Sequence, residues 1–282
     1  MALGRPERIG VSASRGERGP LMPVERAVEI RGGAVSFRVL TAGYGAPLVY
    51  FHSYHERTGW SPVLDLLARS FSVYAPAHPG VAGSKGVETL DDLLDLTLAY
   101  DELLSALGLE RAHLVGHAFG AMAAAELAAV FPARARTLTL VSPLGLWRDD
   151  VPSADVLILP ADELAAALWS DPASSAARLW ATGPGSDAES LAAEVESIQR
   201  RSSMAKFVWP IPDKGLARRL HRIAAPTLLV WGDADRANPL VYAEEWQRRL
   251  KGAALRLLPG GHMVLLETPE TAARAIAEFL GT

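Results

Sequence analysis

The chain has no cysteine among its 282 residues. That excludes a disulfide framework, a thiolate metal site and a cysteine nucleophile. It also lacks any apolar run of the length a bilayer span requires, so no membrane partner is expected. A formal net charge of -4 leaves no positive excess for a nucleic-acid partner. The seven histidines show no H-E-x-x-H or similar ligand spacing, and no metal is expected. The nearest approach to a cluster is His52-Ser53-Tyr54-His55-Glu56. No Gly-rich loop with phosphate-binding spacing follows an apolar strand, so no cofactor is expected. Residues 1–22 carry arginines but no apolar core segment, and read as a disordered tail rather than a secretory signal. The expected location is cytoplasmic.

What is present is an ordinary apolar fraction of 49%, enough for one sizeable α/β core. Val28–Ile30 and Ala34–Leu40 flank Arg31-Gly32-Gly33, a hairpin signal. Short apolar runs at Leu48–Phe51, Phe71–Ala75, 112–115, Thr137–Val141, Thr227–Trp231 and Leu255–Leu258 suit buried strands of a parallel sheet. Helical spacing separates them: Trp60–Ala68, Thr89–Leu107 with Thr89 as N-cap, 118–130 and Pro269–Leu280. In the second of these Leu90, Leu93, Leu94, Tyr100, Leu104 and Leu107 form the expected apolar face, with Thr97 as its polar interruption. The alternation predicts a mostly parallel, doubly wound α/β sheet. From 145 to 223 the rhythm breaks into Ala/Leu-rich helical pieces, around Leu164–Trp169 and Ala176–Trp180, punctuated by prolines. That length exceeds an ordinary crossover and predicts a helical cap inserted into a core of residues 23–144 and 224–282.

The absence that matters most is of one oxygen. Gly116-His117-Ala118-Phe119-Gly120 follows an apolar strand and opens an Ala-rich helix. The G-x-S-x-G nucleophile elbow occupies that context, with serine on a sharp strand-to-helix turn; here its place is taken by Ala118. The other parts of a triad are recognisable. Asp235 lies on the loop Gly232-Asp233-Ala234-Asp235 after an apolar strand, where open α/β sheets build sites. We prefer it as the acid over Asp233, which reads as a turn residue bonding its own backbone. His262 follows Gly260-Gly261 after the last strand and is the candidate base. Backbone donors for an oxyanion come from Phe119 and from Ser53 or Tyr54.

Five marks stand in order: FHS at 51–53, APAHPGVAGS at 75–84, GHAFG at 116–120, GDAD at 232–235 and GGH at 260–262. Together they resemble the α/β-hydrolase fold, of the capped esterase, lactonase and C–C-bond hydrolase type, over roughly residues 24–281. The resemblance implies a Ser-Asp-His triad acting on an ester, lactone or C–C bond. The departures are Ala118 for serine, Ser53 for a usual glycine, Ala77 for a common aspartate and Ala121 for a common second glycine. A methyl group cannot attack a carbonyl, and losing the nucleophile costs on the order of a million-fold in the measured serine-protease case. The chain is therefore expected to be inactive as a serine hydrolase. Two alternatives stay open: a lyase, isomerase or cofactor-free oxygenase using the His262–Asp235 base, or a small-molecule-binding protein. The partner expected is a small hydrophobic substrate. His52, His117, Trp147, Trp209 and Met263 are assigned to its pocket, which the cap tryptophans and Met204, Phe207 and Val208 would roof.

Overall fold

The computed structural model describes residues 21–182, 187–211 and 213–281. The strands are β1 Val24–Ile30, β2 Val35–Ala42, β3 Ala46–Phe51, β4 Phe71–Pro76, β5 Ala112–His117, β6 Ala135–Val141, β7 Thr227–Gly232 and β8 Ala254–Leu258. They form one sheet in the order β1-β2-β4-β3-β5-β6-β7-β8. β2 runs antiparallel to both neighbours and all later pairs are parallel, which is the mostly parallel sheet the alternation predicts. The chain passes from β3 outward to β4, then returns across β3 to β5. The carboxyl ends of β3 and β5 thus flank a topological switch point, where open α/β sheets bind ligands.

The helices are α1 Pro62–Ala68, α2 Leu93–Ala106, α3 Phe119–Val130, α4 Ala161–Leu168, α5 Ser175–Thr182, α6 Asp187–Val208, α7 Val241–Arg249, α8 Val264–Glu267 and α9 Pro269–Leu280. Side chains alternate across each strand, so the sheet feeds two cores. Leu114, Leu229 and Trp231 pack with α2 and α3, whereas Tyr50, Val115 and Val230 pack with α1 and α9. Among the described residues, no helix is long and apolar enough to cross a membrane.

Several expectations need correction. The predicted helix over 89–107 begins only at Leu93, because Asp92 caps it better than Thr89: its carboxylate accepts the N–H groups of Leu94 and Asp95 at 2.8 and 2.9 Å. Val87–Thr89 is instead one 3-10 turn. Of the expected apolar face, Leu90, Leu93, Tyr100 and Leu104 are buried, joined by Leu96, Ala99 and Leu103, whereas Leu107 is partly buried and Leu94 is 53% exposed. Thr97 is buried without cost, since its hydroxyl donates to Leu93 O at 2.7 Å. Asp233 accepts the N–H of Gly260 at 3.1 Å, so it ties the β7 loop to the β8 loop rather than to its own turn.

Between β6 and β7 the chain carries α4, α5 and the 22-residue α6. The tail assigned to 1–22 falls on residues 1–20 outside the described ones; Leu21 N–H donates to Asp65 at 2.7 Å.

Candidate functional site

The turn between β5 and α3 keeps the shape of an elbow without its hydroxyl. Ala118 sits at φ 48 and ψ −109, a region where an L-residue is strained by about 1–3 kcal/mol. Its N–H donates to Val141 O at 2.9 Å, and its carbonyl accepts from Met122 at 3.0 Å and Leu144 at 3.2 Å. Two glycines permit the close approach: a Cβ on Gly116 would lie 2.4 Å from Gly120 O, and one on Gly120 would lie 2.0 Å from Phe51 O. The Ala118 methyl is wholly buried. Phe119 is the first residue of α3, where a helix leaves the N–H without an intrahelical acceptor.

The acid and the base are brought together. His262 Nδ1–H donates to Asp235 Oδ2 at 2.9 Å, with both side chains almost fully buried. Asp235 Oδ1 also accepts the N–H of Asn238 at 2.8 Å. The Asn238 side chain in turn donates to Ser142 O at 3.3 Å and Pro143 O at 2.9 Å. Asp235 is thereby aimed from β7 and locked to the end of β6. With Nδ1 protonated toward Asp235, the lone pair of a neutral His262 is on Nε2, the tautomer a general base needs.

A second histidine–carboxylate pair lies beside the first. His117 Nδ1 donates to the Glu56 carboxylate and its Nε2–H donates to His262 O at 2.8 Å. Glu56 also accepts from the Tyr50 hydroxyl at 2.7 and 2.8 Å. Both ring nitrogens of His117 therefore face acceptors, an arrangement that favours its protonated form. Burial alone would lower its pKa, but the charge and hydrogen bond of Glu56 outweigh that and raise it. So His117, assigned to the pocket from sequence, is tied up in bracing the His262 backbone. Burial beside Glu56 pushes the Tyr50 hydroxyl far up, and it stays neutral.

The other predicted residues divide. His52 Nδ1–H donates to Ser53 O at 2.9 Å and its Nε2 accepts His78 N–H at 3.2 Å, so both its nitrogens are used. Ser53 N–H is directed at Glu56 Oε2 at 3.4 Å. Tyr54 is buried, with its ring 6.2 Å from that of Phe119. Met263 is fully buried in the core on the α3 face. Trp147 donates to Asp149 at 2.8 Å on the exposed side, and Trp209 is 47% exposed. The apolar cavity beside the site, about 440 Å3, is lined by Trp60, Trp169 and Trp180 and by neither of those two.

Residues that sequence reasoning missed include Glu56, Tyr50, Asn238 and two with unused polar atoms. His55 Nε2 is buried without a partner; burial holds its pKa well below the usual value, with His262, Arg201 and Arg200 adding to the effect. The Ser142 hydroxyl is also buried and unpartnered, at φ 42 directly after β6. Among the described residues no group of three His, Asp or Glu side chains is arranged to hold a metal ion.

A strained elbow after β5, a carboxylate after β7 and a histidine after β8 together define the α/β-hydrolase site plan. The model of the alpha/beta hydrolase family matches residues 39–275, and the chain belongs to that family. Curated relatives include "Putative carbamate hydrolase RutD" of Caulobacter sp. (strain K31), 29% identical over 267 residues, covering 89% of this chain and 94% of the relative. Another is the 2-hydroxy-6-oxo-6-phenylhexa-2,4-dienoate hydrolase of Burkholderia cepacia, 26% identical over 272 residues, covering 88% and 93%. The solved structure of the hydrolase of that same name from Rhodococcus sp. strain RHA1 superposes with a TM-score of 0.72 at 20% identity, covering 93% of this chain and all of that one. A bacterial membrane phospholipase A gives a TM-score of 0.76 at 22% identity, covering 92% and 86%. At those identities the structures bear on the fold alone.

Proposed function

We propose that this protein is a hydrolase that works without a covalent nucleophile. His262, oriented by Asp235, removes a proton from water as the water oxygen attacks the carbonyl of a small apolar carbamate, ester or related acyl compound; the tetrahedral intermediate then collapses with cleavage of the bond to the alcohol or amine, which leaves with the proton returned by His262. The observation that carries this reading is the Nδ1–Oδ2 bond of 2.9 Å beside an elbow that ends in a methyl group. A base poised in the correct tautomer has a use without serine, because general-base catalysis by itself contributes about 10²–10⁴-fold. A carboxylate and an imidazole buried together are costly unless paired, so their pairing is a specific arrangement rather than a default. The Phe119 N–H, at the start of α3, is the donor for the developing oxyanion. The carbamate and C–C-bond hydrolase names of the relatives point to the same class, attack on a carbonyl carbon. In this reading the helices between β6 and β7 are a cap over the site.

The test is a panel of small carbamates, esters, lactones and β-diketones, assayed with the protein and with His262→Gln. Turnover of one class that falls at least a hundredfold in His262→Gln supports the proposal. Turnover indifferent to His262→Gln, or none for any class, overturns it.

A further inference from the structure

The carboxyl end of α4 is held by the two loops that carry the acid and the base. A helix leaves its last carbonyls without partners inside the helix. Arg236, next to Asp235, supplies two donors there: its Nε–H donates to Ala166 O at 2.6 Å and its Nη2 donates to Trp169 O at 2.5 Å. Its positive charge also suits the negative end of the helix dipole. Met263, next to His262, donates its N–H to Leu168 O at 3.0 Å. Glu267 then bridges the same segment to the base loop. Its Oε1 accepts the N–H of Gly261 at 2.7 Å, and its Oε2 accepts the N–H of Ser170 at 3.1 Å as well as the Ser170 hydroxyl. Gly261 lets the two backbones touch: a Cβ there would lie 2.6 Å from Ser170 N and 2.8 Å from Leu168 O. The neighbours of Asp235 and of His262 thus both bear on residues 166–170, which belong to the segment between β6 and β7 rather than to the sheet. Trp169, in that segment, also lines the apolar cavity.

We propose that Arg236 and Glu267 are positioning residues, and that the end of α4 is the strut that keeps His262 Nδ1 aligned on Asp235. Arg236 sets the acid loop and Glu267 sets the base loop, each against the same piece of backbone. A carboxylate suits position 267 because two segments need an acceptor and it presents two oxygens with several lone pairs. The inference deepens the reading of His262 as the base and rests on it only for turnover, since the alignment is a property of the protein without substrate.

The experiment is proton NMR of the low-field His262 Nδ1–H in the substrate-free protein, assigned by its loss in His262→Gln. Its exchange with solvent is measured in Glu267→Ala, Arg236→Ala and Glu196→Ala. Glu196 is the control: it ties α6 to Thr58 and Arg200, and bonds neither α4 nor the two loops among the described residues. The expected result is exchange about fivefold to tenfold faster in Glu267→Ala and in Arg236→Ala, the loosening expected for one lost hydrogen bond, with Glu196→Ala within about twofold of the parent. Arg236→Lys keeps the charge but loses the fork that spans two carbonyls, and exchanges as Arg236→Ala does. Arg236 is exposed, so its variants fold and decide the question if Glu267→Ala does not. Parental exchange in either folded alanine variant, an equal rise in Glu196→Ala, or no resonance that His262→Gln removes overturns the proposal. The measurement contains no substrate, so a failed strut and a failed turnover assay are separate results.

Discussion

Restoring the missing oxygen by Ala118→Ser reports on the site through stability before it reports through catalysis. The backbone at φ 48 and ψ −109 is already strained for alanine, and serine meets the same steric limits, so the strain cancels between the two forms. What remains is the hydroxyl. Position 118 is wholly buried, and an unpaired hydroxyl there costs about 1–3 kcal/mol. If the elbow aims Oγ at the free Nε2 of His262, the bond recovers that cost and the variant melts within about 0.5 kcal/mol of the parent. Chemical denaturation at neutral pH measures the difference. The account predicts the small change, together with burst-phase hydrolysis of activated esters, because serine, base and acid then stand in one line. A loss above about 3 kcal/mol, or near-parental stability with no ester burst, refutes the claim that the elbow and His262 share one site.

Glu56→Gln removes the carboxylate that accepts from both His117 and Tyr50 and lowers stability by about 3 kcal/mol in urea unfolding, as for a disrupted buried network; a loss under about 1 kcal/mol contradicts the role of Glu56 as their shared acceptor. Stability falls with acid: burial holds His78 near a pKa of about 4 in the fold, against about 6.5 unfolded, so its contribution is present above pH 6.5 and is lost as pH drops toward 4. That one group accounts for about 3 kcal/mol at pH 4, read from midpoints of denaturation across the window. His117 acts in the opposite sense, adding stability below pH 6.5 that is lost as pH climbs through its raised value. Asp92→Ala removes the cap of α2 and lowers stability by about 1 kcal/mol, whereas Thr89→Ala changes it by less than half as much.

The parts of the site that were legible from the chain alone are those whose signals are local. Gly116, Gly120 and Gly260-Gly261 mark tight turns at strand ends, and an apolar run names each strand, so Ala118, Asp235 and His262 could be placed without seeing the fold. The Glu56–His117 pair could not, because its partners are 61 residues apart and meet only when β3 and β5 become neighbours. The cavity is invisible for the same reason: Trp60 and Trp169 come together on its wall only through the fold, which no periodicity describes. α6 escaped because its apolar residues do not mark a buried stripe; Leu191, Val195 and Ile198 are exposed at 62%, 46% and 48%. The start of α2 was misplaced because both Thr89 and Asp92 offer a capping side chain, and only the geometry shows Asp92 accepting the first free N–H groups.

The central claim is hydrolysis by a histidine base with no acyl-enzyme, and intact-mass spectrometry during turnover of the best substrate in the panel tests it most directly. The account predicts steady product release by the parent protein with its mass unchanged, while Ala118→Ser under the same conditions gains the mass of the acyl group. An acyl adduct on the parent protein, at Ser53, Ser142 or elsewhere, contradicts it.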